Sequence, residues 1–123
     1  MIEYLTVTEI IEIHDDIIRK YGGTGGIRDE GTLQLLVYKM NCEKNVFRRA
    51  ALALHMIAVS HPFFDGNKRT AFALAENELG EAGYYLNEKP EEIVALMQNI
   101  AEYECSLKAV EKWIKEKAKS HVG

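Results

Sequence analysis

VFRRAALALHMIAVS, residues 46–60, is apolar nearly all the way round after its first turn. A helix on a protein surface needs one apolar stripe, whereas a helix enclosed by others is apolar on every side. Val46 to Ser60 therefore reads as a buried central helix, and the rest of the chain has to supply the elements that enclose it.

Upstream, Glu9 follows Thr6 by three residues, the spacing of a capping pair that satisfies the free amides of a helix start. A first helix is expected from about Thr8 to Tyr21. Ile10, Ile11, Ile13, Ile17 and Ile18 fall at helical spacing, with Glu12, Asp16, Arg19 and Lys20 on the wet side. GGTGGIRDEG, residues 22–31, stops that helix, its glycines supplying the positive φ of a cap and a turn. No strand precedes the glycines and no Gly-Lys-Ser or Gly-Lys-Thr follows them, so they read as a bent connector and not as a phosphate loop. Asp29 is placed to cap a second helix with Leu33, Leu36, Val37 and Met40 on one face, and NCEKN, residues 41–45, breaks the pattern.

Downstream, RTAFALAENELGEAGY, residues 69–84, reads as a helix ending near Gly80 or Gly83. Another begins at Pro90, a first-turn proline, and a last one starts near Ser106 with Leu107, Val110, Trp113 and Ile114. Tyr4 to Val7 and Tyr84 to Leu86 have β character but are too short to define a sheet. The tail EKWIKEKAKSHVG, residues 111–123 and including His121, reads as a fraying end of the final helix. The expected fold class is all-α, about six helices in a single domain over residues 1–123.

With 123 residues, 47% of them hydrophobic, the chain suffices for one real core. Lysine and arginine total 15 against 19 acidic residues, a formal charge of −4, so the bulk surface attracts neither nucleic acid nor anionic lipid. Neither class of partner is expected, and any anion site must be local. Cys42 and Cys105 follow no metal-ligand spacing, and no signal peptide is visible, which fits a reducing cytoplasm. Charges and glycines interrupt every apolar run short of the roughly 20 residues that cross a bilayer, so a soluble protein is expected.

HPFFDGNKRT, residues 61–70, follows the central helix. Pro62 and Gly66 forbid continuation of that helix, so a tight loop must follow His61. If the next helix starts near Asn67, its first turn presents unpaired amides and the positive dipole end, with Lys68 and Arg69 beside them. Cations there are disfavoured by ~0.3–1 kcal/mol each, and an anion, most simply phosphate, would offset the cost. Asp65 could neutralise them as an ion pair or hold magnesium against phosphates. His61 could act as a general base near neutral pH. Taken singly, His61 is an ordinary helix-end histidine and Asn67 an ordinary cap, and Phe63 and Phe64 read as core plugs, Phe63 the better placed. Together they form a kit for moving a phosphate-containing group. His14, beside Asp15 and Asp16, and His55, in the central helix, read as hydrogen-bonded structural residues.

HPFFDGNKRT resembles the signature of the Fic/Doc superfamily: His, any, Phe, any, Asp or Glu, Gly or Ala, Asn, two further residues and Arg. Here the arginine comes one residue sooner, as Lys68-Arg69, the spacing of the death-on-curing (Doc) branch. EIHDDIIRKYGGTGGIRDEGTLQ, residues 12–34, is similar to the N-terminal region of Doc proteins. The resemblance implies that His61 is the general base on a target hydroxyl and that Asp65 binds Mg2+. It also implies that Gly66, Asn67, Lys68 and Arg69 hold the phosphates of ATP. Adenylylating Fic enzymes usually carry glycine in place of Lys68, whereas a lysine there goes with phosphate transfer in Doc proteins. The resemblance thus favours an ATP-dependent protein kinase over an AMP transferase. Gly66 departs from the alanine of the best-known Doc sequence. Doc proteins are toxins, the type example acting on elongation factor Tu, and their antitoxin is a separate protein that folds into a groove. An internal inhibitory motif of Ser or Thr, three residues, Glu, then Gly or Asn is not matched, because Thr8 and Glu12 are followed by Ile13, so inhibition in trans is expected. A non-catalytic nucleotide-binding helical module is the alternative outside enzymes.

Overall fold

The computed structural model describes residues 4–103 and 105–121. Among them run six helices: α1 (Val7–Tyr21), α2 (Glu30–Cys42), α3 (Val46–Ser60), α4 (Asn67–Glu81), α5 (Pro90–Tyr103) and α6 (Leu107–Lys117). Two short strands, β1 (Tyr84–Leu86) and β2 (Ala118–Ser120), complete the order. No helix among the described residues is long and apolar enough to cross a membrane.

The helix starts follow from local chemistry. Thr6 accepts from the Glu9 amide at 3.2 Å, and its hydroxyl meets the Glu9 carboxylate at 3.3 Å, closing the capping pair. Asp29 accepts from the Thr32 amide at 3.2 Å and hydroxyl at 2.7 Å, contacts that hold its carboxyl below the ordinary carboxylate range. Asn45 accepts from the amides of Phe47 and Arg48, and Ser106 from that of Ala109.

The central position of α3 results from what it buries. Ala50, Ala51, Leu52, Ala53, Leu54, Ile57 and Ala58 are all removed from water, and α2, α4, α5 and α6 pack around them. The most extensive pairing is with α4, whose buried Ala71 and Ala75 have side chains small enough for two backbones to run close together. Each larger apolar side chain fully buried here, such as Leu54 or Ile57, contributes about 1.5–3 kcal/mol.

One charge enters this core. Arg49, 2% exposed, donates to the Glu78 carboxylate of α4 through Nε at 3.1 Å and Nη2 at 2.9 Å. Its Nη1 donates to the Met40 carbonyl at 2.7 Å, near the end of α2. Three helices are thereby tied to one guanidinium, with the desolvation of its charge offset by a short-range partner and carbonyl acceptors.

The chain end differs from the sequence expectation. The helix stops at Lys117, and Ala118–Ser120 pairs antiparallel with Tyr84–Leu86 in the register Tyr84↔Ser120, Tyr85↔Lys119 and Leu86↔Ala118. The His121 amide donates to the Gly83 carbonyl at 2.9 Å, and the His121 ring packs 4.7 Å from that of Tyr85. Each strand lacks a sheet of its own, and only the tertiary fold brings them together; residues 122 and 123 of the tail lie outside the described residues. At the other end, residues 4–6 form no strand, and the backbone of Leu5 is satisfied by a side chain. The Leu5 amide and carbonyl bond the Asn41 side chain at 2.8 and 2.9 Å, and Val7 already belongs to α1.

Removing Glu78 leaves the Arg49 charge buried without its acid. Glu78→Ala is expected to lower unfolding stability by about 3–5 kcal/mol in a urea titration, and a loss below about 1 kcal/mol would show that the pair is inessential.

Candidate active site

The turn between α3 and α4 begins at His61, which ends α3 in the left-handed conformation at φ 48° and ψ 63°. It is the sole non-glycine residue with positive φ among the described residues, a conformation that costs on the order of 1–3 kcal/mol and survives only where its surroundings enforce it. Those surroundings come from the α1–α2 connector. Arg28 donates from Nε to the His61 carbonyl at 2.8 Å and from Nη2 to the Ser60 carbonyl, satisfying the last carbonyls of α3. The amides of Arg28 and Asp29 both donate to the Pro62 carbonyl, at 2.7 and 2.9 Å, and Ile27 bridges to Phe63. The glycine-rich segment is thus a clamp on the motif loop as well as a bend.

The loop is also held from within. Asn67, 8% exposed, accepts from the Phe63 amide at 3.0 Å and donates to the Phe63 carbonyl at 2.9 Å. Phe63 is buried and stacks on His14, ring centres 3.8 Å apart and planes 5° from parallel. His14 Nε2 donates to the Asp65 carbonyl at 2.8 Å, which assigns the proton to that nitrogen. His14 therefore has the hydrogen-bonded role its sequence context suggests, whereas the half-buried His55 makes no hydrogen bond among the described residues. Phe64 does not plug the core: it is 59% exposed, its ring against Gly26 on the loop's outer side. Phe63 is the residue bridged to Ile27 and faces the core, whereas Phe64 lies in the bend that follows.

The His61 ring is exposed and makes no hydrogen bond among the described residues. Asp65 presents its carboxylate beside the start of α4, one oxygen accepting from the Gly66 amide at 3.0 Å and the other from the Thr24 amide at 3.2 Å. It forms no ion pair with Lys68 or Arg69 in this structure. Gly23 approaches so closely that a Cβ there would lie 2.7 Å from the same carboxylate, and at φ +117° the position disfavours a side chain in any case.

α4 starts at Asn67 behind Gly66, and no side chain caps it. No side chain therefore offsets the positive dipole end, and Lys68 and Arg69 in this first turn are exposed, neither paired with a carboxylate among the described residues. Beside them, Ile17, Tyr21, Phe72, Ile93 and Met97 line a groove of about 440 Å³ between α1, α4 and α5, with Lys68 and Arg69 at one end. Glu76 also lines it, and desolvation there pushes its carboxyl above the ordinary value. The arrangement combines an exposed imidazole, an oriented carboxylate and a positively polarised helix start.

A model of the family described as the Fic/DOC family matches residues 4–79, which spans the first helix, the connector, the loop and nearly all of α4. The chain belongs to the Fic/Doc family. It is similar to the Protein kinase doc of Escherichia phage P1, 30% identical over 94 residues that cover 72% of this chain and 75% of that protein. It is also similar to the Toxin Doc of Mycolicibacterium smegmatis, 31% identical over 99 residues covering 73% and 76% respectively. Within this Fic/Doc chain, the residues that sequence reasoning passed over are Arg28, Thr24, Gly23 and Tyr21. Their contacts reach residues about 30 to 50 positions away, and no local pattern announces them.

Because both polar ends of the Asn67 amide are used inside the turn, Asn67→Ala strands the Phe63 amide and carbonyl in a buried place. A loss of about 2–4 kcal/mol of stability is expected by thermal melting, and a change below about 0.5 kcal/mol would show that the loop is held by the connector alone.

Proposed function

We infer that the chain transfers a phosphate group from ATP to a hydroxyl of a protein target, as the toxin of a toxin–antitoxin pair. The observation that carries this reading is the unbalanced positive charge of Lys68 and Arg69 on an uncapped helix start, reached by a turn whose first residue is a histidine with a free ring. Such a cup attracts phosphate through amides, dipole and cations together. The amides of Asn67 and Lys68 bind phosphate oxygens and the Lys68 and Arg69 side chains add charge, while Gly66, where a Cβ would lie 3.2 Å from Ile18, lets the turn that leads to these amides close against α1. The Asn67 side chain acts as the brace that keeps these amides in place.

Asp65 fits a magnesium ion as its single protein ligand. Each of its oxygens accepts one N–H and retains a lone pair, and no cluster of three or more acidic, histidine or cysteine ligands exists among the described residues to compete. When bound there, the ion would supply neutralisation of phosphate charge. His61 takes the proton of the target hydroxyl on a ring nitrogen, and its fixed left-handed backbone limits where that nitrogen can be. Lys68 supports transfer of the terminal phosphate over transfer of AMP, because AMP-transferring members of the family usually have glycine there. The name of the phage P1 relative points the same way.

The groove between α1, α4 and α5 supports the antitoxin reading. Its apolar walls fit one face of an amphipathic helix supplied in trans, and they end at the two cations, so an occupant would stand beside the phosphate cup. The reducing interior of the cell, where translation factors such as elongation factor Tu reside, is the setting this function requires.

Incubation of the purified chain with γ-labelled ATP, Mg2+ and host lysate is expected to label a protein band, and His61→Ala to abolish the label. Label from α-labelled ATP instead would assign AMP transfer, and ATP binding without any transfer, with purified elongation factor Tu also supplied, would leave a nucleotide-binding module. Val94 lines the groove and is half exposed. Val94→Lys is expected to weaken neutralisation by the cognate antitoxin on co-expression while label transfer persists; unchanged neutralisation would place the antitoxin on another face.

A further inference from the structure

Tyr21, the last residue of α1, holds two cations on its ring. The Arg69 guanidinium carbon lies 4.0 Å from the ring centre, and the Lys20 ammonium lies 5.5 Å from the same centre. The ring is half exposed at the edge of the groove, so it is not a buried core side chain. Neither cation has a carboxylate partner among the described residues. Carboxylates are nevertheless close along the chain or the groove: Asp16 is taken by Arg19 at 2.7 Å, and Glu76 shares the groove wall with Arg69. An arginine free to rotate could turn towards Glu76 and be lost to an anion at the start of α4. The attraction between the guanidinium and the Tyr21 face opposes that rotation and uses none of the Arg69 N–H groups as hydrogen-bond donors to a carboxylate.

We propose that Tyr21 is a positioning residue for Arg69, holding the guanidinium beside the α4 amides so that it meets the polyphosphate of the nucleotide without a search, with Lys20 adding positive charge on the same ring. This rests on the nucleotide reading of the α4 start. It extends the binding site from the motif loop to the end of α1, on the far side of the glycine connector. The effect is on phosphates and not on the nucleoside, because the ring touches the cation and nothing requires it to touch the base.

The test compares Tyr21→Phe, Tyr21→Leu and Tyr21→Ala with the parent chain by calorimetric titration of MgATP and of adenosine. Phenylalanine keeps the aromatic face, leucine keeps apolar bulk without it, and alanine removes both. Phenylalanine is expected to bind MgATP as the parent does, whereas leucine and alanine bind about two- to fivefold more weakly, with adenosine binding unchanged in all three. In label transfer the loss should fall on KM for ATP and leave kcat nearly intact. If leucine binds MgATP like the parent at an unchanged melting temperature, the ring serves only as packing and the inference fails. It also fails if adenosine and MgATP weaken together. Should the parent chain itself bind no MgATP, it is the phosphate-transfer reading that falls, a result distinct from either of these. A melting temperature lowered by alanine alone is decided by the leucine and phenylalanine comparison.

Discussion

The turn from His61 to Asn67 is the constraint on which this structure depends. It has to reverse direction between two closely packed helices and carry an exposed imidazole and a carboxylate on the few residues before an uncapped helix start. A loop of seven residues cannot do this by its own preferences, since one of its members sits in a left-handed conformation that non-glycine residues avoid. The conformation is enforced from both sides. Inside, Asn67 closes on the backbone of Phe63, and His14 reaches the Asp65 carbonyl. Outside, Arg28 and the amides around it occupy the carbonyls of Ser60, His61 and Pro62. Strain in the turn is thus balanced by hydrogen bonds from an element that precedes it by more than 30 residues.

That balance requires the two sides to stay in register, which is a task for the core. α3 and α4 form its spine through small buried residues, and the Arg49–Glu78 pair fixes their relative position while reaching the end of α2. Buried charge is poor value as a source of stability, but it is a strong source of register, because a sliding helix would leave an ion in an apolar interior. The rigid spine carries the loop; the loop carries the groups that face outward.

Electrostatically the chain is acidic, and among the described residues Lys68, Arg69 and Lys20 bring exposed positive charge without carboxylate partners to two helix ends beside the loop. The end of α4 that needs negative charge is left without a cap, while α1, α2, α3 and α6 are each capped by a Thr, Asp, Asn or Ser side chain. A helix start stabilised by its own side chain has no use for a ligand; α4 keeps its amides open.

What the sequence by itself determined was every element whose cause is local: the three-residue capping pair at Thr6, the caps Asp29 and Ser106, the break at Pro62 and Gly66, and an all-round apolar central helix that could only lie inside a helical fold. The motif residues were legible for the same reason, because ten consecutive positions carry them. Tertiary structure decided what depends on approach between distant segments. It paired the tail with Tyr84–Leu86, turned Phe64 outward, made a clamp of the glycine connector and set Tyr21 under Arg69. None of these contacts leaves a trace in periodicity or spacing, since each is fixed by geometry that exists only once α3 has been enclosed.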